Sequence, residues 1–188
     1  ETTMYNKEES SSGDATLKDE TVNGVRRTEY GDKMFVTGVS IDDCVRVIGE
    51  VQHYPEFLTV YKSVDIMWTQ MDPVTGEKVE RATYNIHTFF LDVNYVLETR
   101  IDQRDDYAKK IWNQVSGPSW LLVNSGAWTL YKRGDTIEIQ YDFDLSFTMW
   151  IPDFFKKWVI NHAMKNSMEA VKKRILFVHQ QRMNQSHA

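Results

Sequence analysis

The chain has 188 residues, of which 26 % are charged and 41 % are hydrophobic, and its formal net charge is −5 at pH 7. This length favours one domain, and the acidic balance argues against nucleic acid as the main partner. The single cysteine, Cys44, excludes an internal disulfide and a cysteine-based metal site. The aromatic content of 13 % is high and predicts a large core or a lined cavity. The sequence has no apolar run of the ~20 residues needed to span a bilayer.

Residues 1–23 are mostly polar, which predicts a mobile tail, and residues 24–188 then form one domain. Asn23-Gly24 is typical of a turn, and residues 25–39 are predicted to be the first strand. The sequence does not fix the compartment. A cytoplasmic protein, a protein exported after removal of a targeting segment and a protein held at a membrane surface all remain open.

Two short helices are predicted after the first strand. Ser40 is a suitable N-cap, and Asp42 and Asp43 fall in the first turn, where acidic side chains favour a helix. Tyr54-Pro55 begins the second helix, since proline is tolerated in a first turn.

Strand patterns fill the middle of the chain and are separated by turn signals such as Arg133-Gly134-Asp135. The predicted strands cover residues 60–70, 78–90, 91–101, 107–115, 120–132 and 136–149. In the last of these, apolar and polar residues alternate over fourteen positions, beginning at Thr136 and Ile137. Strands of this length with short connections indicate an antiparallel meander.

A helical pattern follows from Pro152 to about Met183. Its apolar positions recur at spacings of three and four, and they are Met164, Met168, Val171, Ile175 and Val178. The element order therefore predicts an α+β fold. In it, a curved antiparallel sheet of six or seven strands wraps round a long C-terminal helix, with two short helices after the first strand.

This element order resembles the helix-grip fold of the START and pollen-allergen-like (SRPBCC) superfamily. The segment 54–58 resembles a signature of the polyketide cyclase/dehydrase and lipid-transport family, and its closest match is to coenzyme-Q-binding START-like and ribosome-association-toxin-like proteins. Gly117-Pro118, Leu122 and Trp128 resemble the family's Gly-Pro…Leu…Trp strand, and the segment 141–145 resembles its penultimate element. The resemblance covers residues 25 to 180.

The resemblance implies a cavity between the sheet and the last helix that holds an apolar molecule such as a lipid, an isoprenoid or a quinone. Large aromatic side chains and adaptable methionines suit such a guest. The predicted ligand-binding residues are Trp68, Tyr84, Ile86, Tyr95, Leu97, Trp128, Leu130, Phe143, Phe147, Met164, Met168 and Val171. The alternative is that these side chains only pack the core.

The start of the last helix carries aromatic side chains on a face that is polar further along. Residues 151–183 also hold seven Lys and Arg against two acidic residues. The predicted contact residues are Phe154, Phe155, Lys156, Lys157 and Trp158. They suit an anionic membrane surface or a protein partner, and the alternative is that they pack under the loop after the second helix.

Three functional hypotheses remain open. The first is a carrier or chaperone for an apolar small molecule, the second is a cyclase- or aromatase-type enzyme, and the third is a protein-interaction module with a filled core. The sequence shows no catalytic or metal-ligand constellation and predicts no cofactor. Tyr84 and His87 are the only candidate proton donors, and His87 is expected to point either outward or into the cavity.

Overall fold

The fold is taken from a computed structural model that describes residues 15–88, 91–158 and 164–188, except for the side chains of Phe155, Lys156 and Trp158. The described residues form eight strands in one antiparallel sheet, with the order β1-β2-β8-β7-β6-β5-β4-β3. The strands are β1 Thr16–Val22, β2 Val25–Thr37, β3 Tyr61–Met71, β4 Lys78–Thr88, β5 Leu91–Gln103, β6 Tyr107–Ser116, β7 Leu121–Arg133 and β8 Thr136–Phe147.

The connection from β2 to β3 carries the chain from one side of the sheet to the far edge. It contains helix α1, Ile41–Gly49, and a short 3-10 helix, Val51–Glu56. Ser40 caps α1 as predicted: the Asp43 amide donates to Ser40 Oγ, and the Ser40 amide donates to the Asp43 carboxylate, both at 3.1 Å. The predicted pair of short helices is confirmed, but the second begins at Val51, so that Tyr54 and Pro55 lie near its end and not in its first turn.

The N-terminal hairpin differs from the prediction of a tail that extends to residue 23. Residues 16–22 form β1, and Val22 pairs with Val25 across a two-residue turn. Asn23 and Gly24 have φ values of +51° and +75°. Positive φ at both positions matches the right-handed twist of a hairpin, and asparagine and glycine adopt it at low cost. The polar composition of β1 hid this strand, because it pairs at an edge and has few apolar side chains. Residues 1–14 lie outside the described part of the chain.

The C-terminal region is described as two helices, α2 Asp153–Trp158 and α3 Lys165–Ser186, and residues 159–163 between them lie outside the description. Met168, Val171 and Ile175 of α3 are buried, and Met164 and Val178 are partly buried. The predicted apolar stripe is therefore confirmed. The helix-grip architecture is also confirmed, with eight strands in place of six or seven.

The alternation in β8 places its apolar side chains in the core. Ile137 and Ile139 are fully buried, and they face the same side of the sheet as Val36 and Leu130 of the neighbouring strands. Burying each such side chain stabilises the fold by about 1.5–3 kcal/mol. Leu122 has the same parity as the buried Trp128 and Leu130, but it is half exposed because the ladder between β7 and β8 is irregular between residues 121 and 123.

Asp43 joins α1 to the C-terminal half of α3. Arg182 Nε donates to Asp43 Oδ1 at 2.9 Å, and His179 Nδ1 lies 2.7 Å from Oδ2. Burial raises the pKa of Asp43, but the hydrogen bonds from Arg182, Ser40 and His179 outweigh it and hold the pKa well below its usual range. The carboxylate is therefore ionised at neutral pH, and it fixes the end of α3 over α1.

Candidate ligand-binding interior

The face of the sheet that α3 covers collects most of the predicted ligand-binding residues. Paired residues in an antiparallel sheet point to the same side, so the pairs Tyr84–Tyr95 and Trp128–Tyr141 share this inner face. Of the predicted set, those buried in the core are Tyr84, Tyr95, Leu97, Trp128, Leu130, Phe147, Met168 and Val171. Ile86, Phe143 and Met164 are partly buried.

Trp68 is an exception, because the structure places it on the outer face. The ladder between β3 and β4 shifts between Ile66 and Trp68, so that Trp68 pairs with Arg81. The Arg81 guanidinium lies 5.4 Å from the centre of the Trp68 ring. The period-two prediction counted through this bulge and assigned the wrong face.

Aromatic rings form a nearly continuous layer on the inner face. Tyr84 and Tyr95 stack with ring centroids 5.5 Å apart, and the Tyr61 ring lies 6.0 Å from Tyr84. Tyr141 lies 4.3 Å from Trp128 and 5.7 Å from Trp112. These are ordinary packing distances for aromatic pairs. Trp112 was absent from the predicted set, although it has the same parity in β6 as the buried Ala108.

This interior also holds tyrosine hydroxyl groups. Burial raises the pKa of Tyr61 to about 12, and burial likewise raises the pKa values of Tyr84 and Tyr141 well above the usual value. The three phenols are therefore protonated at neutral pH and carry hydrogen-bond donors. The interior can bind a molecule through ring contacts and through hydrogen bonds.

Lys110 is the most unusual interior side chain, and sequence reasoning missed it. It is 5 % exposed and lies on the inner face of β6, opposite Trp128 of β7. Its Nζ donates to the Ile48 carbonyl oxygen at 2.9 Å and to the Tyr54 hydroxyl at 3.0 Å. Burial lowers the pKa of Lys110 to about 7. One sequence signal could have found it. Lys110 lies two residues from both Ala108 and Trp112, and residues two apart in a strand point to the same face.

Tyr54 completes this polar contact. Its hydroxyl donates to the same Ile48 carbonyl oxygen and accepts from Lys110, and its ring lies under the amine with Nζ 5.2 Å from the ring centre. Tyr54 is buried, and burial raises its pKa well above the usual value. The 3-10 helix therefore places a protonated phenol beside the Lys110 amine.

Glu80 is a buried carboxylate on the same inner face, two residues before Ala82 in β4. It is 4 % exposed, and it accepts a hydrogen bond from Thr69 at 2.8 Å. Its negative charge opposes the effect of burial on Lys110 and favours the protonated amine. Within the described residues, Lys110, Tyr54 and Glu80 therefore place an amine, a protonated phenol and a carboxylate in one interior.

His87 lies outside this interior. Its side chain is half exposed, and its Nδ1 lies 2.6 Å from Asp92 Oδ1 on the outer side of the β4–β5 hairpin. Tyr84 faces the interior, as the parity of β4 requires. Of the two candidate proton donors, the structure therefore brings only Tyr84 to the other predicted residues.

The start of the C-terminal region exposes aromatic side chains. Trp150 is 82 % exposed and Phe154 is 70 % exposed. Lys157 is exposed in α2, whereas the predicted contact residues Phe155, Lys156 and Trp158 have side chains outside the description. Among the described residues, no helix is long and apolar enough to cross a membrane.

A separate open groove of about 340 Å³ lies on the outer face of the sheet, away from the predicted cavity. The residues that line it include Gly31, Ala127, Asp142 and Asp144. Over the same described ranges, no group of three or more acidic, histidine or cysteine side chains is arranged to hold a metal ion.

No family model matches the sequence, and a comparison with curated proteins gives no match. Solved structures do match. A STAR-related lipid transfer protein from Xanthomonas axonopodis is 12 % identical, with a TM-score of 0.65 over 91 % of this chain and 98 % of that chain. Human STARD10 is 8 % identical, with a TM-score of 0.66 over 100 % of this chain and 78 % of that chain.

The Zhui aromatase/cyclase from Streptomyces sp. R1128 is 14 % identical, with a TM-score of 0.59 over 85 % of this chain and 96 % of that chain. Identities this low establish the fold and leave the activity open. The predicted likeness to coenzyme-Q-binding proteins stays a prediction. The chain has the START-like helix-grip fold that lipid-transfer and aromatase/cyclase proteins share.

Proposed function

We propose that the protein binds a small, largely apolar molecule between the inner face of the sheet and α3, as a carrier or chaperone. The observation that carries this proposal is the layer of aromatic side chains, with Tyr84, Tyr95 and Trp128 at its centre, facing the apolar stripe of α3. Rings of this kind suit a lipid, an isoprenoid or a quinone, because they give flat apolar contact, and their hydroxyl groups can orient a polar head. The lipid-transfer proteins of the same fold support the choice of ligand class.

The test is the content of the protein as purified without detergent. An organic extract analysed by mass spectrometry should contain a lipid, isoprenoid or quinone in a fixed ratio to protein. Trp128→Ala should lower that ratio, because Trp128 faces the interior, whereas Trp68→Ala on the outer face should leave it unchanged. An empty extract, repeated after incubation with a lipid mixture, would contradict the proposal.

A second candidate is a protein-interaction module with a filled core. The observation that favours it is close packing within the interior: Trp112 covers Gly126 so closely that a Cβ there would lie 2.2 Å from Trp112 Cζ2. Rings in mutual contact leave little room for a guest. The empty extract described above is the result that this candidate predicts.

The carrier proposal includes contact with an anionic membrane surface through the start of the C-terminal region. Exposed Trp150, Phe154 and Lys157 lie within eight residues of one another in the sequence and combine apolar anchors with positive charge. Sedimentation with vesicles of phosphatidylcholine and phosphatidylglycerol should fall for Trp150→Ser and Phe154→Ser. Phe35→Ser, a half-exposed phenylalanine of β2, is the matched control. Equal sedimentation of all variants would argue against this contact and favour a protein partner.

A further inference from the structure

The Lys110 amine has the surroundings of a neutral amine. Within the described residues, its Nζ contacts two acceptors, the Ile48 carbonyl oxygen and the Tyr54 hydroxyl, and no carboxylate lies within ion-pair distance. A neutral amine has two N–H groups, so both donate to these two acceptors and the nitrogen lone pair makes no hydrogen bond. An ammonium group would have a third N–H that faces no acceptor other than the Tyr54 ring, in a site that is almost fully buried.

The charged groups that face Lys110 oppose each other. Glu80 favours the protonated amine and Lys78 disfavours it, while burial is the largest effect and lowers the pKa to about 7. Lysines in apolar sites are nucleophilic at neutral pH for this reason, and they form imines with carbonyl compounds. Tyr54 is placed to take part, since its protonated hydroxyl lies 3.0 Å from Nζ.

We infer that Lys110 is a carbonyl-capturing amine, and that the interior takes small aldehydes or ketones with an apolar body, which form a reversible imine at Lys110 Nζ. The inference rests on the proposed binding of a small molecule in the interior, and it deepens that proposal by naming a reactive group on the ligand. The aromatic side chains beside Lys110, with Trp128 directly opposite on β7, provide the contact surface for the apolar body.

The reaction is balanced without an oxidant or a reductant. The Nζ lone pair attacks the carbonyl carbon, the C–O π bond opens, and the oxygen takes a proton from the Tyr54 hydroxyl. The nitrogen returns one of its two protons to the tyrosinate, which gives the neutral carbinolamine. The carbinolamine then loses water: the Tyr54 hydroxyl protonates the leaving hydroxyl as the C–O bond breaks and the nitrogen lone pair forms the C=N bond, and the nitrogen gives its remaining proton to the tyrosinate. The products are one imine and one water, and hydrolysis reverses both steps.

The experiment uses the full chain with benzaldehyde and sodium cyanoborohydride, which delivers hydride to the imine carbon and makes the adduct permanent. Intact mass and peptide mass spectrometry then locate the adduct. At pH 7 an amine with a pKa of 7 is half unprotonated, whereas an ordinary lysine is unprotonated at about 0.04 %, a ratio of roughly 1,000. Lys110 should therefore be labelled before the other lysines, with a rate that rises up to pH of about 7 and then levels.

Two variants provide controls. Lys110→Met should reduce the adduct at pH 7 by at least about tenfold, given the expected difference in free amine. Lys109→Met, which removes the exposed neighbour on the outer face of β6, should leave it unchanged. Far-ultraviolet circular dichroism checks that both variants are folded.

Benzyl alcohol, which lacks the carbonyl group, separates this inference from the proposed function. Its binding is measured through the fluorescence of the interior tryptophans. If benzyl alcohol binds and benzaldehyde gives no adduct at Lys110, the carbonyl capture is refuted and the binding interior stands. If neither compound binds, the carbonyl capture is refuted, and the organic extract described above decides whether the binding interior stands. Labelling spread evenly over the surface lysines would also overturn the inference.

Discussion

Replacing Lys110 with methionine should remove a pH dependence from the stability of the fold. The folded pKa of Lys110 is lowered to about 7, while the unfolded value is about 10.4. Below pH 7 the amine is protonated in both the folded and the unfolded chain, so the folded state carries the full free-energy cost of burying the charge. Between pH 7 and 10.4 the unfolded chain binds more protons than the folded chain, so stability rises with pH.

The magnitude follows from these two pKa values. From pH 7 to pH 9 the linkage relation gives a rise of about 2 kcal/mol in the contribution of Lys110 to the free energy of unfolding. The methionine variant lacks this rise, so its stability advantage over the wild type should shrink by the same amount. The Ile48 carbonyl oxygen still accepts from the Tyr54 hydroxyl after the substitution, so the variant leaves no unpaired buried carbonyl.

The assay is urea-induced unfolding followed by tryptophan fluorescence at pH 6, 7, 8 and 9, with the Lys109→Met variant as control. The buried tyrosines, whose pKa values are raised, affect stability only above pH of about 10. Lys109→Met should follow the wild-type profile. Parallel profiles for Lys110→Met and the wild type would refute the conclusion that Lys110 is buried with a lowered pKa.

Further predictions concern the contacts that hold the sheet and helices together. Asp43→Ala should lower the free energy of unfolding by about 2–4 kcal/mol in urea titrations, since a cap and charged hydrogen bonds are lost, whereas Asp42→Ala should cost about 0.5 kcal/mol or less. The pKa of Asp43 is held low, so its contribution is present above pH of about 4 and the gap between wild type and Asp43→Ala should narrow as the pH falls below that value. Gly126→Ala should cost about 1–3 kcal/mol by thermal denaturation, because the new Cβ overlaps Trp112. Gly117→Ala, whose Cβ meets only a glutamine side chain, should cost less.

Much of the fold was accessible from the sequence because two periodicities dominate it. The alternation in β8 predicts one apolar face of that strand. The spacing of three and four residues between Met168, Val171 and Ile175 predicts one apolar face of α3. Both faces are buried in the structure. Prediction failed where the backbone departs from a regular repeat and where a strand is mostly polar. The bulge before Trp68 turned that side chain outward, and β1 has too few apolar residues to be recognised as a strand.

The site was predicted less completely, for a different reason. Binary patterning sorts residues by polarity, so it assigns Lys110 and Glu80 to solvent although both share parity with buried neighbours such as Trp112. The burial of Lys110 is explained by its hydrogen-bond partners. Its amine donates to the Ile48 carbonyl oxygen and to the Tyr54 hydroxyl, which lie in the β2–β3 connection about sixty residues earlier in the chain. Long-range hydrogen bonds of this kind leave no local pattern.

The polar interior bears on the choice between a binding protein and a filled core. A buried amine without an ion-pair partner destabilises the fold, and a hydrophobic side chain of similar size at that position is often neutral or stabilising. If Lys110 only packs, Lys110→Met should stabilise the protein and change nothing else. If Lys110 captures carbonyl compounds, the same variant should gain stability and lose the adduct, which is the trade expected where a functional group is kept at the expense of stability. Stability and labelling measured on this one variant therefore separate the two interpretations.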